Sequence, residues 1–429
     1  MSAKERQVSN VSQGGHGVLE EMPDTQPQAS GQSLALERRL LARVVEELGK
    51  APIAFTLWDG SEIASPGVKA ECHVHIRDRG ALWRLVSQPD YQFPELYAQG
   101  RIHLEEGLEG VLDVVQRLRR DLPSSIKRRA TAALLRPRSG SLAHARENIH
   151  SHYDVGNDFY KLWLDRDLVY TCAYFPTAEA TLEQAQAAKM ELVCRKLRLQ
   201  PGERVVEAGC GWGALAMYMA RHYGVKVRAF NISKAQLELA RERAQREGLS
   251  AAVEFIDGDY REIDSQCDAF VSVGMLEHVG PKQYPELGRV MRRCLPANGR
   301  GLIHNIGTDR PGRMNPWIER RIFPGAYSPS LEQMMTLFAP YGFSVLDVEN
   351  LRLHYSLTLR HWLQRFEAAQ DKVLEMFDPV FVRAWRFYLA SSEASFNAGI
   401  LQLYQVLFAG RGCNDIAWTR SHLYQDGSL

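Results

Sequence analysis

The sequence predicts an α/β protein in which a doubly wound sheet of mostly parallel strands follows a small α+β domain. Three observations support this fold class. From about residue 146 onward, short apolar runs alternate with helical apolar patterns, as is typical of a parallel sheet. One of these runs, at 204–207, leads through a glycine-rich turn into a helical pattern that begins at Ala214. Upstream, residues 34–120 contain helical stripes and a half-buried strand without this regular alternation.

The elements of the first domain can be placed from their apolar patterns. The first 33 residues are rich in Ser, Gln and Gly and predict a disordered N-terminus. Helices are predicted at 34–48, 81–87 and 107–118, and strands at 53–57 and 71–77. His73 and His75 share the polar face of the second strand, but the sequence indicates no third metal ligand near them, so no metal site is predicted. The domain at 34–120 carries no catalytic constellation of its own.

A basic segment follows this domain. Residues 121–145 contain proline and predict a linker, and between positions 117 and 138 there is one acid, Asp121. The basic residues between positions 117 and 138 are Arg117, Arg119, Arg120, Lys127, Arg128, Arg129, Arg136 and Arg138. Such a run is either a solvated linker or a patch that docks on anionic phospholipid, where each basic residue contributes ~1 kcal/mol. Nucleic acid is disfavoured because no base-stacking aromatic side chains are interleaved.

The remaining chain, 146–429, is predicted to form the second domain. Strands of a parallel sheet are predicted at residues 204–207, 226–230, 253–257, 269–273 and 301–306. Near 385–410 an apolar pattern that includes Phe387, Phe396, Ile400 and Leu407 predicts a helix that belongs to the core.

Composition restricts the class of protein. Of the 429 residues 45% are hydrophobic and 24% are charged, with a net charge of +1, which is ordinary for a soluble globular protein. No apolar run reaches the ~18 residues of a membrane span, and the polar N-terminus lacks the apolar core of a signal peptide. The seven cysteines show no C-x-x-C spacing, which indicates a reducing compartment and argues against zinc. We therefore expect a cytoplasmic protein.

The turn after the strand at 204–207 indicates a bound nucleoside. Gly209, Gly211 and Gly213 stand at alternate positions before a helix N-terminus, so that backbone can approach a ligand closely. The pattern also fits the dinucleotide fingerprint G-x-G-x-x-G/A, which expects an acid at the end of the next strand to bind the ribose. That strand runs into Asn231 instead, whereas Glu207 is an acid of the type found in methyltransferases. S-adenosylmethionine is therefore favoured over a nicotinamide cofactor, and a tight turn without a ligand is the plain alternative.

Further motifs lie on both sides of this turn. Upstream are His152-Tyr-Asp-Val-Gly-Asn-Asp-Phe-Tyr160 and Tyr170-Thr-Cys-Ala-Tyr-Phe175, and downstream are Gly274-Met-Leu-Glu-His-Val-Gly280, His304-Asn-Ile-Gly307 and His354-Tyr355. Over about residues 146–410 the chain resembles the cyclopropane fatty acid synthases. The resemblance implies a class I methyltransferase fold with a Rossmann-like sheet, preceded by a small lipid-associated domain. It also implies transfer of a methylene group from S-adenosylmethionine to the cis double bond of a phospholipid acyl chain, with bound bicarbonate as the base.

The chemistry explains what such a site must provide. An isolated alkene is a poor nucleophile, so the sulfonium methyl must be held in line with the double bond in a dry pocket. Methyl transfer leaves a carbocation, which aromatic faces can stabilise. A base must then remove a proton from the new methyl group so that the ring closes.

The resemblance implies two sets of site residues. The bicarbonate pocket and catalytic set comprises Cys172, Glu277, His304, Ile306 and Tyr355. Within this set, Glu277 and His304 would orient the anion and move its proton, and no thiol nucleophile is needed because no acyl-enzyme forms. The cofactor contacts are Tyr170, Thr171, Glu207, Gly209, Cys210, Gly211, Gly213, Asn231, Ser233, Gln236, Asp259, Tyr260 and Arg261.

Two alternatives stay open beside the cyclopropane-forming reaction. A related enzyme could use the same cofactor and leave a methyl or methylene branch instead of a ring. A non-catalytic lipid-binding protein is the other alternative, and it would be expected to have lost the glycine turn or Glu277. The expected partners are the phospholipid bilayer surface and, as in the family, a second copy of the chain, with the protein peripherally associated with the inner membrane and with no nucleic acid.

Overall fold

The computed structural model describes residues 34–47, 49, 51–121 and 155–424. The predicted disordered N-terminus, nearly all of the basic linker and the beginning of the motif at His152 lie outside the described residues. Within the described part, no helix is long and apolar enough to cross a membrane.

The N-terminal unit is a four-stranded sheet flanked by helices. Its strands lie in the order β2-β1-β3-β4, with β1 and β3 parallel and the other pairs antiparallel. Its elements are α1 (Ala35–Glu47), β1 (Ile53–Thr56), β2 (Glu62–Ala64), β3 (Cys72–Ile76), α2 (Arg79–Ser87), α3 (Pro89–Ala98), β4 (Ile102–Leu104) and α4 (Gly107–Asp121). The predicted helices and strands of this unit are confirmed to within three residues. The strands β2 and β4 and the helix α3 were not predicted.

The strands β3 and β4 correct one expectation about the paired histidines. The imidazole Nδ1 of His73 lies 3.9 Å from Glu105 Oε2, and the Nε2 of His75 lies 3.2 Å from the same oxygen. Glu106 also bonds His73 and raises the pKa of its imidazole. The expectation that no further ligand-type side chain lies near the pair is therefore wrong. These carboxylates follow the neighbouring strand, and they are engaged as ion-pair partners of the histidines.

The second unit contains a seven-stranded sheet in the order β10-β11-β9-β8-β5-β6-β7. Its strands are β5 (Arg204–Ala208), β6 (Lys226–Asn231), β7 (Val253–Asp257), β8 (Ala269–Val273), β9 (Arg300–Thr308), β10 (Phe343–Asn350) and β11 (Leu401–Gly410). Its helices are α5 (Asn157–Lys161), α6 (Leu182–Leu197), α7 (Ala214–Tyr223), α8 (Lys234–Arg246), α9 (Tyr284–Cys294), α10 (Pro316–Arg321), α11 (Leu331–Met335), α12 (Arg352–Ala368), α13 (Gln370–Met376) and α14 (Pro379–Asn397).

The five strands from β5 to β9 are parallel, and all five were predicted. Every residue of β8 is buried, because helices cover both faces of a central parallel strand. The order of the strands reverses beside β5, since β6 and β7 lie on one side of it and β8 and β9 on the other. Ligands of open α/β sheets bind at the carboxyl ends of strands at such a switch point.

The prediction of a single helix over 385–410 is wrong in its second half. The helix α14 ends at Asn397, Gly399 adopts a φ of +74°, and the chain returns as β11. The strand β11 lies between β9 and β10 and is antiparallel to both. Buried side chains on both faces hide the alternation that would have marked a strand, because β11 is an interior strand.

The two units share one apolar core. The buried cluster that contains the N-terminal strands continues into the aromatic side chains of α12 and α14. Polar contacts join the units as well, with Arg383 Nε donating to Ala98 O at 2.7 Å and Gln116 Nε2 donating to Ser395 Oγ at 2.9 Å. The N-terminal unit therefore packs directly against the helices that cover the second unit.

Candidate active site

A cavity opens at the carboxyl ends of β5 and β8, at the switch point of the sheet. The turn after β5 forms its floor, with Gly209 at a φ of +84° and Gly211 at +53°. A Cβ on Gly209 would lie 3.0 Å from Met275, whereas none of the described atoms lies within 4 Å of a Cβ placed on Gly211. The first glycine thus permits close packing in the loop, and the second leaves the backbone open to a ligand.

Most of the predicted cofactor residues line this cavity. Those in the lining are Tyr170, Thr171, Glu207, Gly209, Cys210, Gly211, Asn231, Gln236, Asp259, Tyr260 and Arg261. Gly213 and Ser233 are not among them. A Cβ on Gly213 would lie 2.5 Å from the Phe255 ring, so this glycine serves the close contact between helix and strand. Ser233 is the residue before the first turn of α8.

The side chain of Asn231 explains why this chain has an amide where dinucleotide enzymes have an acid. Its Nδ2 donates to Gly211 O at 3.1 Å and to Gln236 Oε1 at 2.8 Å, and its Oδ1 accepts from Ile232 N at 2.8 Å. A carboxylate could not donate to the carbonyl of the loop. The amide therefore ties the end of β6 to the glycine turn.

A buried Lys–Glu pair forms another part of the cavity wall. Glu207 is 2% exposed, and its Oε2 has no hydrogen-bond partner among the described residues. Lys189 of α6 is 1% exposed and donates to Thr171 Oγ1 at 2.9 Å. Burial raises the pKa of Glu207 and lowers that of Lys189, while the attraction between the two charges opposes both shifts. An unpartnered acceptor of this kind suits a ligand that carries positive charge or a donor group.

Asp259 and Arg261 support the wall rather than offering open groups to a ligand. The Asp259 carboxylate accepts from Arg261 Nε at 2.7 Å, from Arg261 Nη2 at 2.9 Å and from the Arg261 backbone at 3.0 Å. This pairing caps the short helix Tyr260–Glu262. The Tyr260 hydroxyl is buried without a partner among the described residues, so it is the member of this group that has a free polar atom.

The predicted catalytic residues do not line the cavity but lie in the polypeptide directly behind its wall. Cys172 follows the lining residue Thr171, and the lining residue Gly274 donates its N–H to His304 O at 2.8 Å. Glu277 Oε1 accepts from Ile306 N at 2.6 Å, two residues beyond His304 on β9. Cys172 Sγ lies 3.9 Å from Leu351 O.

The Leu351 carbonyl also connects Tyr355, the remaining predicted catalytic residue, to Cys172. Leu351 O accepts from Tyr355 N at 3.2 Å. Tyr355 is 8% exposed, and its ring lies 4.6 Å from that of Phe396. The structure thus links Glu277 to Ile306, and Cys172 to Tyr355 through one backbone carbonyl.

Two polar atoms of this cluster are buried and unused. Glu277 Oε2 and His304 Nε2 both lack a hydrogen-bond partner within the described part of the chain. Burial raises the pKa of Glu277 to about 7, with the Ile306 N–H acting in the opposite direction. Burial, helped by the charges of Lys189 and Lys196, holds the pKa of His304 well below its usual value. A carboxyl group with a pKa near 7 and a neutral imidazole are both groups that can exchange a proton or a hydrogen bond with a small ligand.

Burial also raises the pKa of the Cys172 thiol. The thiol is fully enclosed and remains protonated, as expected for a residue that does not act as a nucleophile.

An aromatic wall from the C-terminal helices closes the same region. The hydroxyl oxygens of Tyr170 and Tyr388 lie 2.8 Å apart, and the Tyr170 ring lies 5.2 Å from that of Trp362. Trp362 also approaches Tyr355, with ring centroids 6.0 Å apart. Aromatic faces of this kind can stabilise a cation that forms near them.

Comparison with known proteins identifies the family. The family model described as mycolic acid cyclopropane synthetase matches residues 141–406. The chain is 34% identical over 385 residues to a probable fatty acid methyltransferase of Pseudomonas putida, covering 87% of this chain and 96% of that protein. It belongs to the cyclopropane synthetase family.

Further relatives of this family agree. The cyclopropane-fatty-acyl-phospholipid synthase of Escherichia coli K12 is 41% identical over 259 residues, which are 60% of this chain and 66% of that protein. A crystal structure of mycolic acid cyclopropane synthase CmaA1 complexed with SAH and CTAB superposes with a TM-score of 0.59 at 30% identity, covering 61% of this chain and 97% of that one. The class I methyltransferase fold and the resemblance stated from the motifs are thereby confirmed, and S-adenosylmethionine is the methyl donor.

Several polar residues of this site were missed in the sequence, Gln283 of the cavity lining among them. Lys189 and His278 line the cavity, and Gln405 contacts His304 Nδ1 at 3.0 Å. A signal for Lys189 was present, because it lies at helical spacing from Ala185 and Val193 on the buried face of α6. Gln405 carried no usable signal, since it lies in the segment that was predicted to be helical.

Proposed function

We propose that this chain transfers a methylene group from S-adenosylmethionine to the cis double bond of phospholipid acyl chains and forms a cyclopropane ring. The observation that supports this most directly is that Glu277 Oε2 and His304 Nε2 are buried behind the wall of the donor cavity and have no hydrogen-bond partner among the described residues. A methyltransferase that only moves a methyl group to an amine needs no such pair, whereas ring closure needs a base beside the donor.

The residues present fit bicarbonate as that base. The carboxyl of Glu277 can accept a hydrogen bond from the anion's hydroxyl group, and a neutral His304 can donate one to its oxygen. When bound, bicarbonate supplies the group that takes a proton from the new methyl as the ring closes. The chain's own residues hold it, enclose it and exclude water, because both side chains are more than nine-tenths buried.

The bond changes of the proposed reaction balance without another reactant. The double bond attacks the sulfonium methyl, the carbon–sulfur bond breaks, and its electron pair remains on sulfur to give S-adenosylhomocysteine. The aromatic wall of Tyr170, Trp362 and Tyr388 is the part of the site that would stabilise the resulting carbocation. Loss of a methyl proton to the base then lets the C–H electron pair close the three-membered ring.

A second candidate reaction leaves a methyl or methylene branch. It is favoured by the names of two relatives that each span 87% of this chain, the probable fatty acid methyltransferase and tuberculostearic acid methyltransferase UfaA1 of Mycobacterium tuberculosis, 33% identical over 393 residues. Both reactions share the donor and the first bond-forming step. They differ in which C–H bond then breaks: loss of a proton from the new methyl group closes the ring, whereas proton loss that leaves a carbon–carbon double bond gives a branched unsaturated chain, and a saturated methyl branch would further need a hydride donor.

A product assay separates the candidates. The purified chain is incubated with methyl-labelled S-adenosylmethionine and vesicles of cis-unsaturated phospholipid, with and without bicarbonate in carbon-dioxide-free buffer. Fatty acid methyl esters are then analysed by mass spectrometry and proton NMR. We expect cyclopropyl protons and a gain of one CH₂ that depends on bicarbonate. Branched esters would favour the second candidate. If no fatty acid methyl ester gains a carbon from the labelled donor, both candidates are contradicted.

We also propose that the protein works at the surface of the bilayer, on the cytoplasmic side, because its acyl substrate resides there. The basic segment around Arg128 and Arg129 is the part of the sequence that suits an anionic surface. We propose in addition that two copies of the chain form a dimer. Sedimentation equilibrium with and without vesicles would measure the oligomeric state.

A further inference from the structure

Gln405 on β11 lies directly opposite His304 on the neighbouring strand β9. In the antiparallel pair of β9 and β11 the two residues are register partners, so their side chains share one face. Gln405 Nε2 lies 3.0 Å from His304 Nδ1. Gln405 is 1% exposed, so this amide is enclosed in the protein and cannot exchange its partners for water.

A buried lysine determines which end of the amide faces the imidazole. Lys196 Nζ of α6 donates to Gln405 Oε1 at 2.7 Å, and it also bonds Glu349 Oε2. An ammonium group has donors and no acceptor, so it must face the amide oxygen. The NH₂ group is therefore turned toward His304. This orientation follows from the donor and acceptor chemistry of the two side chains.

The orientation of the amide in turn decides the state of the imidazole. An NH₂ group donates, so Nδ1 of His304 must accept and cannot carry a proton. Because burial and the nearby Lys189 and Lys196 hold the pKa of His304 well below its usual value, the ring is neutral. Its single proton then resides on Nε2, the nitrogen that has no partner among the described residues.

We propose that Gln405 is a positioning residue, held by Lys196, that fixes His304 as the Nε2–H tautomer and so presents a hydrogen-bond donor to the anion of the active site. This inference rests on the proposed function for its purpose, since a donor is what an anion requires. The tautomer itself rests on the contacts alone.

The contacts from Lys196 through Gln405 to His304 consist of buried polar groups, which indicates that they serve the site rather than stability alone. Lys196 is 2% exposed, and an enclosed ammonium is costly compared with an apolar side chain of similar volume. The Glu349 partner is itself partly exposed, so the pair could have formed at the surface without an amide. The other contact of Lys196, to Gln405, is the one that reaches the site.

The test is a measurement of the tautomer in the full-length protein. Two-bond ¹H–¹⁵N correlations of histidine-labelled protein distinguish protonated from unprotonated ring nitrogens, and a His304→Asn variant assigns the signals. We expect a protonated Nε2 in the wild type. In Gln405→Glu, whose carboxylate accepts from both neighbours, we expect the proton to move to Nδ1, together with a loss of turnover of about 10–100-fold at unchanged affinity for S-adenosylmethionine.

Matched variants keep the test decisive. Gln402→Glu makes the same substitution three residues earlier on β11 and should leave the tautomer unchanged. Lys196→Arg keeps a group that only donates and should retain the wild-type tautomer, whereas Lys196→Gln frees the amide to turn and should give both tautomers. If Gln405→Glu does not fold, the Lys196 pair still provides the comparison.

The outcomes are distinguishable. A protonated Nδ1 in the wild type, or a proton that stays on Nε2 in both Gln405→Glu and Lys196→Gln, would overturn the inference. If the wild type shows the Nε2–H tautomer but forms no ring or branched product, the proposed function fails and the assignment of the tautomer stands.

Discussion

Replacing Glu277 by glutamine should remove turnover and stabilise the fold in the same variant. The amide oxygen can still accept from Ile306 N, so the backbone contact of the wild type is retained. The amide cannot take up or release a proton, however, and general acid–base groups contribute about 10²–10⁴-fold to rate. We expect a loss of that size in ring formation, corresponding to about 3–5 kcal/mol of transition-state stabilisation.

The gain in stability follows from burial of the carboxyl. Its pKa is about 7 in the fold against an ordinary value of 4.5, and one pKa unit corresponds to 1.36 kcal/mol, so the buried carboxylate costs about 3 kcal/mol once it is ionised. Because the folded state holds the proton more tightly, this cost is absent below pH 4.5, grows between pH 4.5 and 7, and is complete above pH 7.

The assay is denaturant unfolding of wild type and Glu277→Gln at pH 5 and pH 8, with product formation measured in parallel. We expect an excess in the free energy of unfolding of the variant of about 1 kcal/mol or less at pH 5 and of about 3 kcal/mol at pH 8. Glu375→Gln, at an exposed position, is the control and should change stability by less than about 0.5 kcal/mol at either pH. A variant that retains turnover within a few-fold, or one with the same stability difference at both pH values, would refute the reasoning.

Three further predictions concern the cofactor cavity and the membrane surface. Gly213→Ala should destabilise the fold by about 1–3 kcal/mol, measured by denaturant unfolding, because its φ is +79° and the new Cβ would meet the Phe255 ring. Lys189→Met should weaken binding of S-adenosylmethionine about tenfold by calorimetry, since loss of the ammonium removes the charge that lowers the pKa of Glu207 and makes the carboxylate form less available to the positively charged donor. Reversing the charge of Arg128 and Arg129 should reduce binding to anionic vesicles in sedimentation assays, by about 1 kcal/mol for each charge removed.

Each of these has a matched control. Gly248→Ala also falls at a positive φ, +70°, but in open space, so it should cost less than Gly213→Ala. Lys282→Met removes an exposed lysine and should leave cofactor affinity unchanged. Zwitterionic vesicles should not distinguish the arginine variant from the wild type, and equal loss on both vesicle types would return the segment to a plain linker.

The parallel half of the large sheet was predictable because its elements are local. Each of β5 to β9 is a short buried run with β-branched or aromatic residues, and the turn after β5 is marked by glycines that only a positive φ explains. The antiparallel half, formed by β10 and β11, was not predictable in this way. The strand β11 is buried on both faces, and its apolar residues fit a helical pattern as well as a strand, so periodicity alone could not separate the two.

The predicted cofactor residues also divide into those that a local pattern identified correctly and those whose role depends on packing. The glycine turn and Glu207 lie within seven positions of one another, so the sequence pattern was enough to relate them to one ligand. Gly213 and Ser233 belong to the same motifs but are not among the residues that line the cavity, because positions next to a ligand loop also serve helix packing and helix initiation. Membership of a motif therefore predicted that a residue lies near the cofactor cavity better than it predicted that the residue lines the cavity.

By itself, the sequence determined the strand, turn and helix that cradle the donor, and motif resemblance supplied the expected residues of the base site. Only the tertiary structure decided how those residues are held. His304 and Gln405 are 101 positions apart and Lys196 lies 209 positions from Gln405, and they meet because β11 inserts antiparallel beside β9 and α6 packs behind it. The state of the imidazole depends on the pairing of β9 with β11, two strands far apart in sequence, and a local pattern of side chains does not record which distant strand becomes the neighbour.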